Sequence, residues 1–286
     1  MATQLGEKVA KDFGFTQFHI DPLLIAREKG IEVFAKPADI KGVSGVIIFV
    51  NDQVSLIYST EHNNRGFENF SIAHELGHYF LPGHPEEIKA TGGQHISRAD
   101  FTQGSSIEIE ADHFASGLLM PSSLVTGFLD DAQVGIEGIL ALAEAAHSSA
   151  TAAAIRAAQC SPYPVAIIVS QRDTIAYAFF SEGFKGLDSL PFIRRGHPLP
   201  PSMTRTFNAK PDNVLRAEKI CGETSLYDWF GCTKRITLDE EVLGLGAYGY
   251  TLTILSSEDL PKDIDEGSDE DAQLERSWDP KFAYNR

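Results

Sequence analysis

Apolar positions along this chain change period several times, and each change marks a predicted element. Residues 31–35, 43–50 and 53–59 are short, β-prone apolar runs. The last two are joined by Asn51-Asp52, a dipeptide suited to a hairpin turn. Ahead of them, residues 20–30 read as a short helix, with Asp21 as cap, Pro22 in the first turn and Gly30 at the close. Between 69 and 80 the spacing becomes helical: Phe70, Ile72, Ala73, Leu76, Gly77 and Phe80 supply a face to bury, and Pro82-Gly83 ends the run. The amide-rich and charged stretch 61–68 reads as loop, and so does 83–105, broken by Gly92-Gly93 and Gly104. A second helix is predicted over 107–120, capped by Ser105 or Ser106 and stopped by Pro121.

Helical spacing continues to about residue 159, with alanine-rich pieces at 139–146 and 150–158. Strand patterning then returns. Residues 165–170 and 174–181 flank Gln171-Arg172-Asp173 as a second hairpin, and 182–255 mixes turn clusters with apolar runs such as 248–255. The fold class predicted is α+β. Four segments are expected: a first domain over 1–121, a helical segment over 122–160, a second α+β domain over 161–255 and an acidic tail over 256–286.

Composition narrows the picture. The chain has 286 residues, 43% of them hydrophobic, enough for a large core and for two domains rather than one. Its net charge is -16 with a pI near 4.9, a poor match to phosphate backbones, so no direct nucleic-acid binding is expected. The helical stretch 139–158 carries one basic residue, Arg156, where a DNA-reading helix would carry several. Much of the acidity sits between 256 and 275, where Lys262 is the one cation, and reads as a solvated spacer. After it, Trp278 to Phe282 is expected to dock one aromatic. Cys160, Cys221 and Cys232 form no C-x-x-C pair and are expected to be small buried hydrophobes. The first fifteen residues lack an apolar signal core, and no apolar run approaches the ~18 residues of a membrane span, so a cytoplasmic, membrane-free protein is expected.

Residues 74–78 read His-Glu-Leu-Gly-His. On a helix, His74 and His78 share a face one turn apart and can grip one Zn²⁺, with Glu75 beside them as a base. A zinc hydrolase needs a third protein ligand, and several positions offer one. Glu108 is the first choice. It lies one turn from Asp112 on the predicted helix, on a face made of small residues, and Asp112 there can accept the free ring N–H of a ligand histidine. Glu110, about 200° around that helix, is the second. His84 is the third: with 74–78 it has the spacing of H-E-x-x-H-x-x-G-x-x-H, but Leu81 stands at the glycine of that signature. His95 and His113 are open as ligands too. As a further electrophile, Tyr79, His95 or His113 are candidates. The exposed edge of the hairpin 43–59 is expected to hold substrate backbone as an added strand.

The segment Asn-Phe-Ser-Ile-Ala-His-Glu-Leu-Gly-His at 69–78, followed by Glu-Ile-Glu-Ala-Asp-His-Phe-Ala-Ser-Gly-Leu-Leu-Met-Pro at 108–121, resembles the ImmA/IrrE metallopeptidases. Asp112 stands where that family more often has asparagine. The resemblance implies a zincin-like domain with a small sheet, and one zinc ion on two histidines and a glutamate. It also implies a helix-turn-helix-like middle segment and, in some members, a C-terminal sensor-like domain related in shape to GAF domains. Its implied function is limited proteolysis of a small helix-turn-helix repressor, which releases gene expression under stress or a mobile-element signal. The alternative is a non-catalytic sensor or binding module that uses a peptidase-like fold to regulate a partner protein.

Overall fold

The computed structural model describes residues 1–37, 42–61, 64–97, 106–129, 135–191 and 193–257. Ser105, the Trp278 to Phe282 segment and nearly all of the acidic tail lie outside the described residues. The fold is α+β, and the chain divides into two compact units. One is Met1–Ala132 with Leu140–Arg156; the other is Gln133–Ile139 with the chain from Ala157 on. Among the described residues no single helix is long and apolar enough to cross a membrane.

The first unit opens on a helix that periodicity does not announce, α1 (Ala2–Asp12). Its buried positions, Ala2, Gly6, Val9 and Ala10, follow helical spacing but are mostly small, so their apolar signal is faint. α2 (Pro22–Glu28) forms as expected, with Asp21 accepting from the Leu23 N–H at 2.9 Å. β1 (Glu32–Lys36), β2 (Gly45–Val50) and β3 (Gln53–Ser59) follow. The turn between β2 and β3 places Asn51 at φ 53°, a conformation asparagine tolerates well.

α3 (Arg65–Phe80) starts four residues before the predicted helix, because the Asn64 side chain accepts from the Phe67 N–H at 3.1 Å and caps it. The predicted loop 83–105 instead contains α4 (His84–Ala90) and β4 (Gln94–Ser97). Pro85, Glu86 and Glu87 in the first turn of α4 are ordinary helix-start residues. β4 exists because β2 pairs with it, a partnership that a four-residue run cannot reveal. α5 (Ser106–Leu119) and α6 (Ser122–Leu129) come next, followed by the C-terminal part of α7 (Ile136–Ala145) and most of α8 (Ala150–Cys160).

The sheet order is β1-β3-β2-β4, with β1 parallel to β3 and the other pairs antiparallel. Both strands of the hairpin are therefore interior. This corrects the expectation that the hairpin offers a free edge: β1 covers one side of it and β4 the other. The core under the sheet joins Leu56, Ile72, Ala73 and Leu76 to Phe114, Ala115 and Leu118 of α5 and to Val9 and Ala10 of α1. Arg156 is buried. It pairs with Glu7, its Nε–H donates to the Met120 carbonyl at 2.7 Å, and Glu7 also accepts from the Ser122 N–H and hydroxyl. The one basic residue of the alanine-rich helices is thus held inside this unit, turned away from any phosphate.

The second unit holds a five-stranded antiparallel sheet of order β6-β5-β9-β8-β7. Its strands are β5 (Val165–Gln171), β6 (Thr174–Phe180), β7 (Lys219–Ser225), β8 (Thr237–Gly244) and β9 (Thr251–Ser256). The predicted hairpin is β5–β6, with Arg172 at φ 55° in its turn. Short helices α9 (Glu182–Lys185), α10 (Met203–Asn208), α11 (Pro211–Leu215) and α12 (Leu226–Phe230) complete the unit. Ile168, Phe184, Trp229, Phe230 and Leu255 form its main core. The Glu240 carboxylate, fully buried, is satisfied by the Thr204 N–H and hydroxyl and by the Trp229 indole N–H. The three cysteines are free, but only Cys232 is buried. Cys221 is exposed, on an outer strand of the sheet, so the expectation of three buried thiols is corrected.

Candidate metal centre

Two helices of the first unit build the site. α3 presents His74 and His78 on one face, and α5 lies against it because Gly77 meets Ala111. A Cβ on Gly77 would stand 3.0 Å from the Ala111 Cα, so any larger residue would push the helices apart. Glu108, three residues before Ala111, is thereby brought over the two imidazoles. His74 Nε2 and His78 Nε2 are 3.2 Å apart. His78 Nε2 is 3.2 Å from Glu108 Oε1, and His74 Nε2 is 3.5 Å from Glu108 Oε2. Ligands at about 2.0–2.2 Å from a tetrahedral zinc stand about 3.3–3.5 Å from one another. Each imidazole is nearest a different oxygen of Glu108, and one donor atom from each of the three side chains lies within 4.8 Å of the others, close enough to converge on one ion; among the described residues they are the one group of three or more His, Cys, Asp or Glu side chains so gathered.

The electrostatics fit a cation as well. Burial pulls His78 down to about 4, which favours the neutral imidazole a metal requires. Burial would lower His74 too, but hydrogen bonds to Asp112 and Glu108 and the nearby Glu75 outweigh it and raise His74 to about 10. A metal arriving there displaces that proton. Burial opposes ionisation of Glu108, yet bonds from His74, His78 and His95 hold its carboxyl well below the usual range.

The remaining sequence candidates fall into distinct places. Asp112 Oδ1 accepts from His74 Nδ1 at 2.8 Å. His84 Nδ1 lies 3.1 Å from His78 Nδ1, and its Nε2 is 3.3 Å from Glu110 Oε2. His84 and Glu110 are thus joined to each other and to the back of His78, outside the group of three. His95, on β4, places Nε2 2.5 Å from Glu108 Oε1 and its ring 4.4 Å from that of His78. Tyr79 packs against Phe80 and the cluster of Ile47, Phe49 and Ile88 rather than at the centre. His113 also stands apart. Burial lowers it to about 4, and the charges acting on it are Asp112, the chain amine and Glu110.

Glu75 is fully buried, and neither carboxylate oxygen has a hydrogen-bond partner among the described residues. The charge of His74 and, after it, the nearby Ser97 hydroxyl oppose the effect of burial on its pKa, the hydroxyl without forming a bond of good geometry. Burial dominates and raises the carboxyl from its ordinary 4.5 to about 7. Gly45 makes room for it: a Cβ there would lie 2.2 Å from Glu75 Oε1. Nothing in a single sequence marks Gly45 for this role, since the contact spans thirty residues. Gly45→Ala is expected to lower stability by about 1–3 kcal/mol through overpacking. Urea unfolding measures this, and an unchanged midpoint would mean that the Glu75 carboxylate has other space to occupy.

Residues 26–158 match the family model described as Peptidase_M78, IrrE N-terminal-like domain. A solved structure described as a Mycobacterium tuberculosis transcriptional regulator is similar in fold, with a TM-score of 0.58 and 16% sequence identity. That similarity covers 90% of this chain and 76% of the other. None of the curated proteins compared with this chain matches it.

Proposed function

Because residues 26–158 match the IrrE N-terminal-like peptidase model, we propose that this chain is a zinc-dependent endopeptidase that cleaves a regulatory protein. The substrate class proposed is a small helix-turn-helix repressor, cut to release its genes under stress or a mobile-element signal. The observation that carries the hydrolytic reading is Glu75: a fully buried carboxylate with no hydrogen-bond partner among the described residues, next to three converging side chains. Leaving such a group without partners costs stability, and a proton-transfer role accounts for its retention.

His74, His78 and Glu108 would hold the ion. Zinc so bound acts as a Lewis acid, lowering the pKa of water toward ~7 and polarising a carbonyl. Glu75, whose carboxyl burial raises above its ordinary range, takes the proton of the attacking water and delivers it to the leaving amine. Asp112 keeps the His74 ring oriented with its Nε2 toward the ligand group. His95, hydrogen-bonded to Glu108 from β4, is placed to steady that carboxylate and to meet a substrate carbonyl.

β4 is also the strand to receive substrate. The Phe49 N–H donates to the Gly93 carbonyl at 2.7 Å, and the register continues through His95 and Ser97. In an antiparallel pair the intervening residues, Gln94 and Ile96, then turn their N–H and C=O groups away from β2. Among the described residues no strand covers that side, and Ile96 is exposed. Ile96→Pro removes one outward donor while leaving the β2 bonds in place. It is expected to raise KM for a protein substrate several-fold, in line with one lost hydrogen bond of about 1 kcal/mol. An unchanged KM would place the substrate elsewhere.

The whole reading is tested by incubating the zinc-loaded chain with small helix-turn-helix repressors from the same genome and mapping fragments by mass spectrometry. A single cut that zinc chelation prevents is expected. An intact partner alongside a zinc-loaded chain would favour the non-catalytic alternative.

A further inference from the structure

The two ligand histidines of the centre are supported differently. His74 Nδ1 meets a carboxylate directly, at Asp112. His78 Nδ1 meets another imidazole, that of His84, and only the far side of His84 reaches a carboxylate, at Glu110. His78 and His84 are both buried, whereas the Glu110 side chain is 48% exposed. The contact between the two rings is symmetric, Nδ1 to Nδ1, so it does not by itself decide which ring donates.

Glu110 decides it. A carboxylate 3.3 Å from His84 Nε2 requires a proton on that nitrogen. A neutral His84 then has a lone pair on Nδ1, which accepts from His78 Nδ1–H. With a metal ion in place of the proton that His78 Nε2 would otherwise share with Glu108 Oε1, 3.2 Å away, a neutral His78 keeps its Nδ1–H and turns its Nε2 lone pair to the ligand position. In the reverse arrangement, His78 Nε2–H would point into the metal position and His84 would turn a lone pair on the carboxylate. We infer that His84 and Glu110 form a relay that sets the tautomer of His78 for metal binding, with Glu110 acting through His84 and neither touching the ion.

This also explains why the two residues pair with each other. Glu110 is about 200° around α5 from Glu108, too far to converge with it on the ion. His84 is the first residue of α4, behind His78, where its ring can bridge to α5. Three acidic residues of α5 thus serve the centre in three ways. Glu108 converges with the histidines, Asp112 orients His74, and Glu110 orients His78 at one remove.

The inference rests on the zinc reading, and the experiment separates the two. Zinc affinity of the full chain is measured by chelator competition for wild type, Glu110→Ala, His84→Leu and His84→Gln. The His78 tautomer is read from ring-nitrogen NMR of the metal-free and zinc-loaded protein. Losing a partner that orients a ligand lowers metal affinity about 10–100-fold. Glu110→Ala and His84→Leu are expected to show such losses, and the metal-free Glu110→Ala protein to show the Nδ1–H form of His78 depleted. His84→Gln is expected to recover most of the affinity, because its amide can accept from His78 and donate to Glu110. Glu110 is exposed, so its variant reports on the relay even if His84→Leu misfolds. Wild-type affinity and an unchanged His78 tautomer in Glu110→Ala would overturn the relay alone. A wild-type chain that takes up no zinc would overturn the functional reading and the relay with it.

Discussion

Glu75→Gln is expected to abolish peptide hydrolysis while one zinc per chain is retained. The glutamine keeps the shape of the side chain but accepts no proton, and loss of a positioned acid–base group lowers turnover by roughly 10²–10⁴-fold. Zinc stays because Glu75 is not among the converging ligand atoms. Burial raises the wild-type carboxyl to about 7, and the base must be ionised to act, so hydrolysis rises with pH toward neutrality. A bound cation favours the carboxylate, which moves that limb below 7. The same shift has a sign for stability. In the metal-free protein the folded state holds the Glu75 proton more tightly than the unfolded chain does. Its contribution is therefore full below pH 4.5 and is lost as pH rises through about 7, where ionisation costs the fold about 3 kcal/mol. Metal-free Glu75→Gln is accordingly expected to be the more stable protein at pH 7–8 and to converge with wild type below pH 4.5. Turnover by Glu75→Gln at the wild-type rate would remove Glu75 from the mechanism.

The second large effect is expected at Glu108. Glu108→Ala removes one vertex of the ligand set, and its zinc affinity should fall by more than the ~10–100-fold that outlying partners account for. Metal analysis after dialysis against a weak chelator reads this directly. The unfolding temperature gives an independent measure: zinc should raise it in wild type, where the folded state alone binds the ion, and not in Glu108→Ala. If Glu108→Ala keeps one zinc at wild-type affinity, the third ligand is another residue. His95, whose Nε2 lies 2.5 Å from Glu108 Oε1, is then the one best placed.

Much of this centre is legible in the sequence because helices are local. Four-residue spacing on a helix puts His74 with His78 and Glu108 with Asp112 whatever the rest of the chain does. Spacing alone does not say which histidine Asp112 serves, nor rank Glu108 above Glu110 with certainty. Those choices depend on how closely and at what rotation α5 meets α3, and the Gly77–Ala111 contact sets that. Position along the chain leaves His84 open as a lower-ranked ligand; in the fold it sits behind His78, because α4 begins at His84 and points its ring toward Glu110. β4, the contact that singles out His95 from the other candidates and the fit of Gly45 against Glu75 are invisible for the same reason: each comes from strand pairing or contact between segments far apart in sequence.

Local order was enough for the sequence to determine the α+β class, both hairpins, the helix with two histidines and a base, and the helix that supplies the acids. Periodicity, caps and turn residues act within a few positions of one another, so one chain read alone reveals them. Tertiary structure decided which carboxylate converges with the histidines, which strand is the open edge, and how a desolvated Glu75 is seated beside Gly45. Each depends on the distance and rotation between packed elements, and burial, which raises the Glu75 carboxyl to about 7, exists only once those elements close around it.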